Sequence, residues 1–167
     1  MRTLLIGSAL GVIVAALAAC GGSSRSSGSE KAVQHQADLY AIDQIEKNFH
    51  KATSKHDIDL MMKLWAPNAT FTYGPGDTAT GKKQIRRAFL EESAAFKPTS
   101  HWVSDTPAYK VRITVNGDRG TLNFECHYVD IETGMVVSHT AADQEVARMN
   151  GQWLITSMVG ASAPLTP

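Results

Sequence analysis

Long apolar/polar alternation dominates the C-terminal half of this chain, and it leaves few folds open. Val111, Ile113 and Val115 alternate with Lys110, Arg112 and Thr114, and Asn116-Gly117-Asp118 then supplies hairpin chemistry. Thr121 to Ile131 reads as a long strand, Thr133-Gly134 turns it, and Met135 to Arg148 returns. Asn150-Gly151 makes a further tight turn into Trp153-Leu154-Ile155. Strands joined this closely form an antiparallel meander, and a sheet with one apolar face needs a partner layer.

That layer precedes the meander. Leu39, Ile42, Ile45 or Glu46, Phe49 and Ala52 recur at helical spacing, giving an amphipathic helix up to about Lys55. Asp57 is a good N-cap for a second helix carrying Ile58, Met61, Met62, Leu64 and Trp65, which Pro67 ends. Ala69 to Tyr73 alternates like a strand and breaks at Gly74-Pro75-Gly76. A third helix is expected from about Lys82 to Phe96, with Ile85, Ala88, Phe89, Glu92 and Phe96 along one side. The class is therefore α+β, with one ordinary domain over 36–161 and a short tail over 162–167.

The N-terminus carries a different signal. Arg2 gives a short positive region, and Leu4 to Leu17 is apolar but shorter than the roughly 20 residues an ordinary spanning helix needs. Leu17-Ala18-Ala19-Cys20 resembles the lipobox of bacterial lipoproteins, which implies a signal peptide over 1–19 and a lipidated Cys20. Gly21 to Glu30, rich in Gly and Ser, is expected to be a flexible coil within a tether over 20–35. The implied location is the cell envelope, lipid-anchored to a bacterial membrane and facing the periplasm or exterior. Attachment would come from lipid, because Arg25 is the only cation before Lys31.

Charge and cysteine content narrow the chemistry. The 16 basic and 16 acidic residues balance, and loss of residues 1–19 removes only Arg2, leaving 15 against 16. No basic stripe or aromatic cluster recommends nucleic acid. Cys126, in an alternating run, reads as a small core residue. Gly76 to Lys82 spaces a Gly-x-x-x-x-Gly-Lys, but Lys83 follows where a phosphate loop places Ser or Thr. His139 and Asp143 lie roughly 13 Å apart along a strand, too far to share one ion. No metal and no cofactor is expected, and no nucleophile elbow accompanies the histidines.

The element order, with Ala66-Pro67-Asn68-Ala69-Thr70-Phe71 and Gly151-Gln152-Trp153-Leu154-Ile155, resembles the nuclear-transport-factor-2-like superfamily, particularly its SnoaL-like branch. The resemblance runs from Asp38 to Val159. It implies three N-terminal helices packed in the concave face of a strongly curved antiparallel sheet, a cone-shaped barrel enclosing an apolar pocket. Polyketide cyclases, ketosteroid isomerases and scytalone dehydratase do acid–base chemistry in that pocket, while many other members bind or assemble.

Register then decides which residues face inward. A two-residue turn at Asn150-Gly151 pairs Arg148 with Trp153, Val146 with Ile155 and Gln144 with Ser157. Carried across Thr133-Gly134, it sets Val129 against Ser138, His127 against Thr140 and Glu125 against Ala142. Glu125, His127, Thr140 and Gln144 then share the pocket face. Leu122, Phe124, Cys126 and Tyr128 form an outer apolar row suited to a homodimer. A single bulge reverses every assignment and makes that row the core.

Two functions follow from the resemblance. One is a lipid-anchored accessory or binding protein holding a small apolar molecule, with Met61, Trp65, Phe71, Phe89, Glu125, Thr140 and Gln144 as lining. The alternative is a lyase or isomerase in which His101 is general acid or base, Tyr73 polarises a substrate oxygen and His127 or Gln144 fixes orientation. That chemistry suits an imidazole titrating near neutrality. Thr53 and Ser54 stand where scytalone-dehydratase-like members keep a Tyr and an Asp, which removes the carboxylate that would orient a histidine.

Overall fold

The computed structural model describes residues 26–104 and 108–164, with side chains described for residues 28–104 and 108–161. The expected signal peptide and the expected lipidation site Cys20 lie outside the described residues. Helix α1 spans Ser26–Ser54 and α2 spans Ile58–Lys63. Strands β1, Trp65–Tyr73, and β2, Asp77–Thr80, precede α3, Gly81–Glu92, and a 3-10 turn, Ala94–Phe96. The meander then runs through β3, Trp102–Ser104, β4, Tyr109–Asn116, β5, Arg119–Asp130, β6, Val136–Met149, and β7, Gln152–Pro164.

Three expectations change at the elements. Helix α1 begins at Ser26, so part of the segment read as coil and tether is helical, although its first turns are exposed. The third helix stops at Glu92, and Ser93, in extended conformation, separates it from the 3-10 turn. Trp65 opens a strand rather than ending a helix. Asp57 does cap α2, accepting the Leu60 amide at 2.8 Å, but α2 ends at Lys63, and the Ile155 amide donates to the Leu64 carbonyl at 2.8 Å. Pairing with β7 thus begins just before Pro67, whose missing N–H falls where the β1 register shifts, between Trp65 and Thr70.

The seven strands form one sheet in the order β2-β1-β7-β6-β5-β3, and β4 pairs with the same edge of β5 as β3. It is mixed rather than antiparallel, because β1 runs parallel to β7. The helices cover one face. Ile42, Ile45, Phe49 and Ala52 of α1 and Ile85, Ala88 and Phe89 of α3 share a buried core with Leu122, Phe124, Cys126, Ala142, Val146 and Ile155 of the sheet.

Two bulges set which side chains enter that core. At the Asn150-Gly151 turn Arg148 pairs with Trp153 and Val146 with Ile155, but a shift after Val146 sets Gln144 against Met158 instead of Ser157. Between β5 and β6, Val129 pairs with Val136 while Tyr128 pairs with Ser138, so Val137 is the extra residue. Beyond it Cys126 faces Thr140, Phe124 faces Ala142 and His127 faces His139. Leu122, Phe124, Cys126 and Tyr128 are therefore interior, and the outer apolar row that motivated a sheet-to-sheet dimer is the core.

Candidate functional site

A cavity of about 710 Å³ lies between the sheet and the helices that cover it. Its size lies within the range of small-molecule sites. Strand β1 brings Phe71 and Tyr73 to one wall, and parallel pairing places Met158 beside Phe71 and Gly160 beside Tyr73. Space beside Gly160 is tight: a Cβ there would sit 3.1 Å from Met158 Cε and 3.3 Å from Phe71 Cε2. Helix α3 contributes Ala88, Phe89 and Glu92, and α1 contributes Phe49. The far wall is Trp102 of β3, Tyr128 of β5 and Ser138 and Thr140 of β6.

The aromatic rings line the cavity in two groups, Phe49, Phe89, Phe71 and Tyr73 in one and Trp102 with Tyr128 in the other. Phe71 stacks on Phe89 with centroids 4.9 Å apart, Phe89 meets Phe49 edge-on at 6.1 Å, and Trp102 lies 6.0 Å from Tyr128. Burial pushes the Tyr128 hydroxyl well above the ordinary phenol value, with Cys126 adding to the rise and a hydrogen bond with Thr53 opposing it. Tyr128 is therefore a neutral phenol at physiological pH. Thr53 in turn donates to the Phe49 carbonyl at 2.9 Å, which ties the cavity wall to the last turns of α1.

The sequence-derived site residues divide between two surfaces. Tyr73, Phe71, Phe89 and Thr140 line the cavity. Met61 and Trp65 are fully buried core residues outside the lining, Trp65 packing behind Phe71 and Phe89 at 5.6 and 5.9 Å between centroids. Gln144 is buried behind the wall, its amide nitrogen donating to Met158 Sδ at 3.6 Å. Glu125 and His127 point to the opposite side of the sheet, because the Val137 bulge inverts the expected register. There the Tyr109 hydroxyl lies 3.0 Å from His127 Nε2, and Glu125 joins Lys110 at 2.9 Å and His139 at 3.0 Å. The hydrogen bond from Lys110, opposed by burial and aided by His139, holds the Glu125 carboxyl below its ordinary value.

His101 stands outside the cavity, half exposed, with Nδ1 3.4 Å from Glu132. His50 is fully enclosed, its Nδ1 2.5 Å from Glu46 of the same helix and its ring 5.0 Å from Phe124. His56 meets the Ala95 carbonyl at 2.5 Å, and His35 is exposed at the start of α1. All six histidines are among the described residues and none lines the cavity. No group of three or more His, Cys, Asp or Glu among the described residues could hold a metal ion.

Sequence reasoning missed Phe49, Trp102, Tyr128, Ser138, Met158 and Gly160 as lining residues. For Tyr128 and Ser138 the signal was the even-numbered alternation of β5 and β6, available only once the bulge is known.

The SnoaL-like domain family matches residues 34–159, and the chain belongs to it. Comparison with curated proteins found no match. Among solved structures, an NTF2-like protein with a cystatin-like fold from Novosphingobium aromaticivorans is 15% identical, covers 84% of this chain and 91% of its own, and has a TM-score of 0.71. A protein of unknown function with a cystatin-like fold from Nostoc punctiforme is 18% identical, covering 78% and 95%, at a TM-score of 0.65. A hexachlorocyclohexane dehydrochlorinase of the LinA type from Novosphingobium barchaimii is 15% identical, covering 81% and 94%, at 0.65. At these identities the likeness is one of fold.

Proposed function

We propose that this chain is a binding member of the SnoaL-like family whose cavity holds a small apolar molecule. One observation carries the reading: aromatic rings and the hydroxyls of Tyr128, Ser138 and Thr140 line the cavity, while every histidine of the chain stands elsewhere. Imidazole is the side chain best matched to proton transfer near neutral pH, and a neutral phenol held high by burial is a hydrogen-bonding group rather than a base. The lyase or isomerase alternative, built on His101, Tyr73 and His127, retains only Tyr73 at the cavity.

Binding of N-phenyl-1-naphthylamine, a neutral apolar fluorophore, tests the reading. Saturable one-to-one binding is expected, abolished by Thr140→Phe with the fold intact by circular dichroism, and unchanged by His101→Ala. Absence of saturable binding, or equal affinity in Thr140→Phe, would overturn it.

The same proposal places the domain on a bacterial membrane through acylated Cys20. The support is Arg2, the apolar run from Leu4 to Leu17 and Ala18-Ala19 before the cysteine. No helix among the described residues is long and apolar enough to cross a membrane. Labelled palmitate should enter the wild-type protein and not Cys20→Ser; equal labelling of both would remove the anchor.

A further inference from the structure

The charge of the cavity lining is one-sided. Its ionisable carboxylates are Asp77, which opens β2, and Glu92, which closes α3. No Lys, Arg or His lines the cavity among the described residues. Arg87 is within electrostatic reach of Tyr73, but its Nε is taken by Glu91, at 2.8 Å to Oε1 and 3.0 Å to Oε2. Lys97, at the other end of the turn after α3, donates to the Leu90 and Glu91 carbonyls.

Resting on the binding function proposed above, we infer that the ligand is an apolar, aromatic-bodied cation, with an ammonium group seated at the rim and its body inside the ring lining. Tyr73 pairs with Asp77 across β1 and β2, so a phenol ring and a carboxylate stand at the same edge of the cavity. An ammonium group is attracted to both, by the ring quadrupole and by the opposite charge. An anionic amphiphile of the same shape would place its carboxylate against Asp77 and Glu92 with no lining cation to receive it, and like charges facing each other oppose binding. Farther in, Phe49, Phe71, Phe89 and Trp102 accept an apolar body, and Ser138 and Thr140 add hydroxyls to the same wall.

Three naphthalenes differing only at one end separate this from a general apolar pocket: (1-naphthylmethyl)trimethylammonium, 1-naphthalenemethanol and 1-naphthaleneacetate. Each is titrated against bound N-phenyl-1-naphthylamine on the full chain. The ammonium compound should compete about fivefold better than the alcohol, and the carboxylate worse than either, with the preference shrinking in high salt. The double variant Asp77→Asn, Glu92→Gln should bring the ammonium-to-alcohol ratio close to one. Glu145→Gln, on the opposite side of the sheet, should leave the ranking unchanged.

A carboxylate that competes as well as the ammonium, or a ranking that survives in the double variant, would overturn the inference while leaving the cavity reading standing. Failure of the fluorophore and of all three naphthalenes to bind would remove the cavity reading, and the inference with it.

Discussion

Cys126 of β5 faces Thr140 of β6, and both point into the core side of the sheet while His127 and His139 face each other on its other side. This single pairing decides which chemistry the cavity contains. Cys126 is 1% exposed. In a chain carrying Cys20→Ser, a bulky aromatic disulfide reagent should leave Cys126 unmodified in the native state and react fully on unfolding. Rapid native labelling would place β5 in the opposite register.

Asp38 fastens the start of α1 to the end of the meander. Its carboxylate accepts from Trp153 Nε1 at 3.2 Å, Arg148 Nη2 at 2.5 Å and Gln34 Nε2 at 2.9 Å. Burial alone would raise its pKa, but the bonds from Trp153, Gln34 and Arg148 hold it below the ordinary value. Asp38→Ala should cost about 2 kcal/mol near neutral pH by leaving the buried Trp153 Nε1 without its acceptor and Arg148 with its exposed partner Asp118, at 3.0 Å. Because the folded pKa is depressed, this contribution is present above the unfolded value of about 4 and is lost as pH falls through the folded one. Chemical denaturation should therefore show the variant and wild type converging in acid.

Glu46 and His50 form a second buried pair, 2.5 Å apart, at 2% and 0% exposure. Glu46→Ala should destabilise by about 2 kcal/mol by leaving a fully buried imidazole beside a cavity, whereas Glu46→Leu combined with His50→Phe should recover most of the loss, since an apolar pair leaves no buried polar group to satisfy. A double-mutant cycle in urea gives the coupling. Additive effects would show that the two side chains do not act as a pair.

Gly120 marks where β4, β5 and α1 crowd together. A Cβ at this position would overlap the Thr114 carbonyl and approach Val146 and Ile42, and backbone cannot rotate aside as a side chain can. Gly120→Ala should lower stability by about 2 kcal/mol or more. A melting temperature within one degree of wild type would contradict this crowding.

Most of the architecture could be read before any coordinates. Asp57 as a cap, the apolar spacing of α1 and α3 and the two-residue turn at Asn150-Gly151 are local signals, set by neighbours in sequence. The site was harder because it depends on parity. Val137 adds one residue to β6, and nothing in the alternation around it distinguishes a bulge from a regular strand. His127 therefore carried a pocket assignment that belongs to Tyr128. The parallel pairing of β1 with β7 joins residues some ninety positions apart, beyond the reach of local spacing. For the same reason Trp65, within apolar helical spacing, becomes the first residue of a strand.

Amide NMR of the 15N-labelled protein titrated with N-phenyl-1-naphthylamine tests the central claim most directly. The largest shifts should fall on Phe71, Phe89, Tyr128, Thr140 and Gly160, with Tyr109, His127 and His139 little moved. Shifts centred instead on Tyr109, His127 and His139 would put binding on the other face of the sheet and contradict the cavity assigned here.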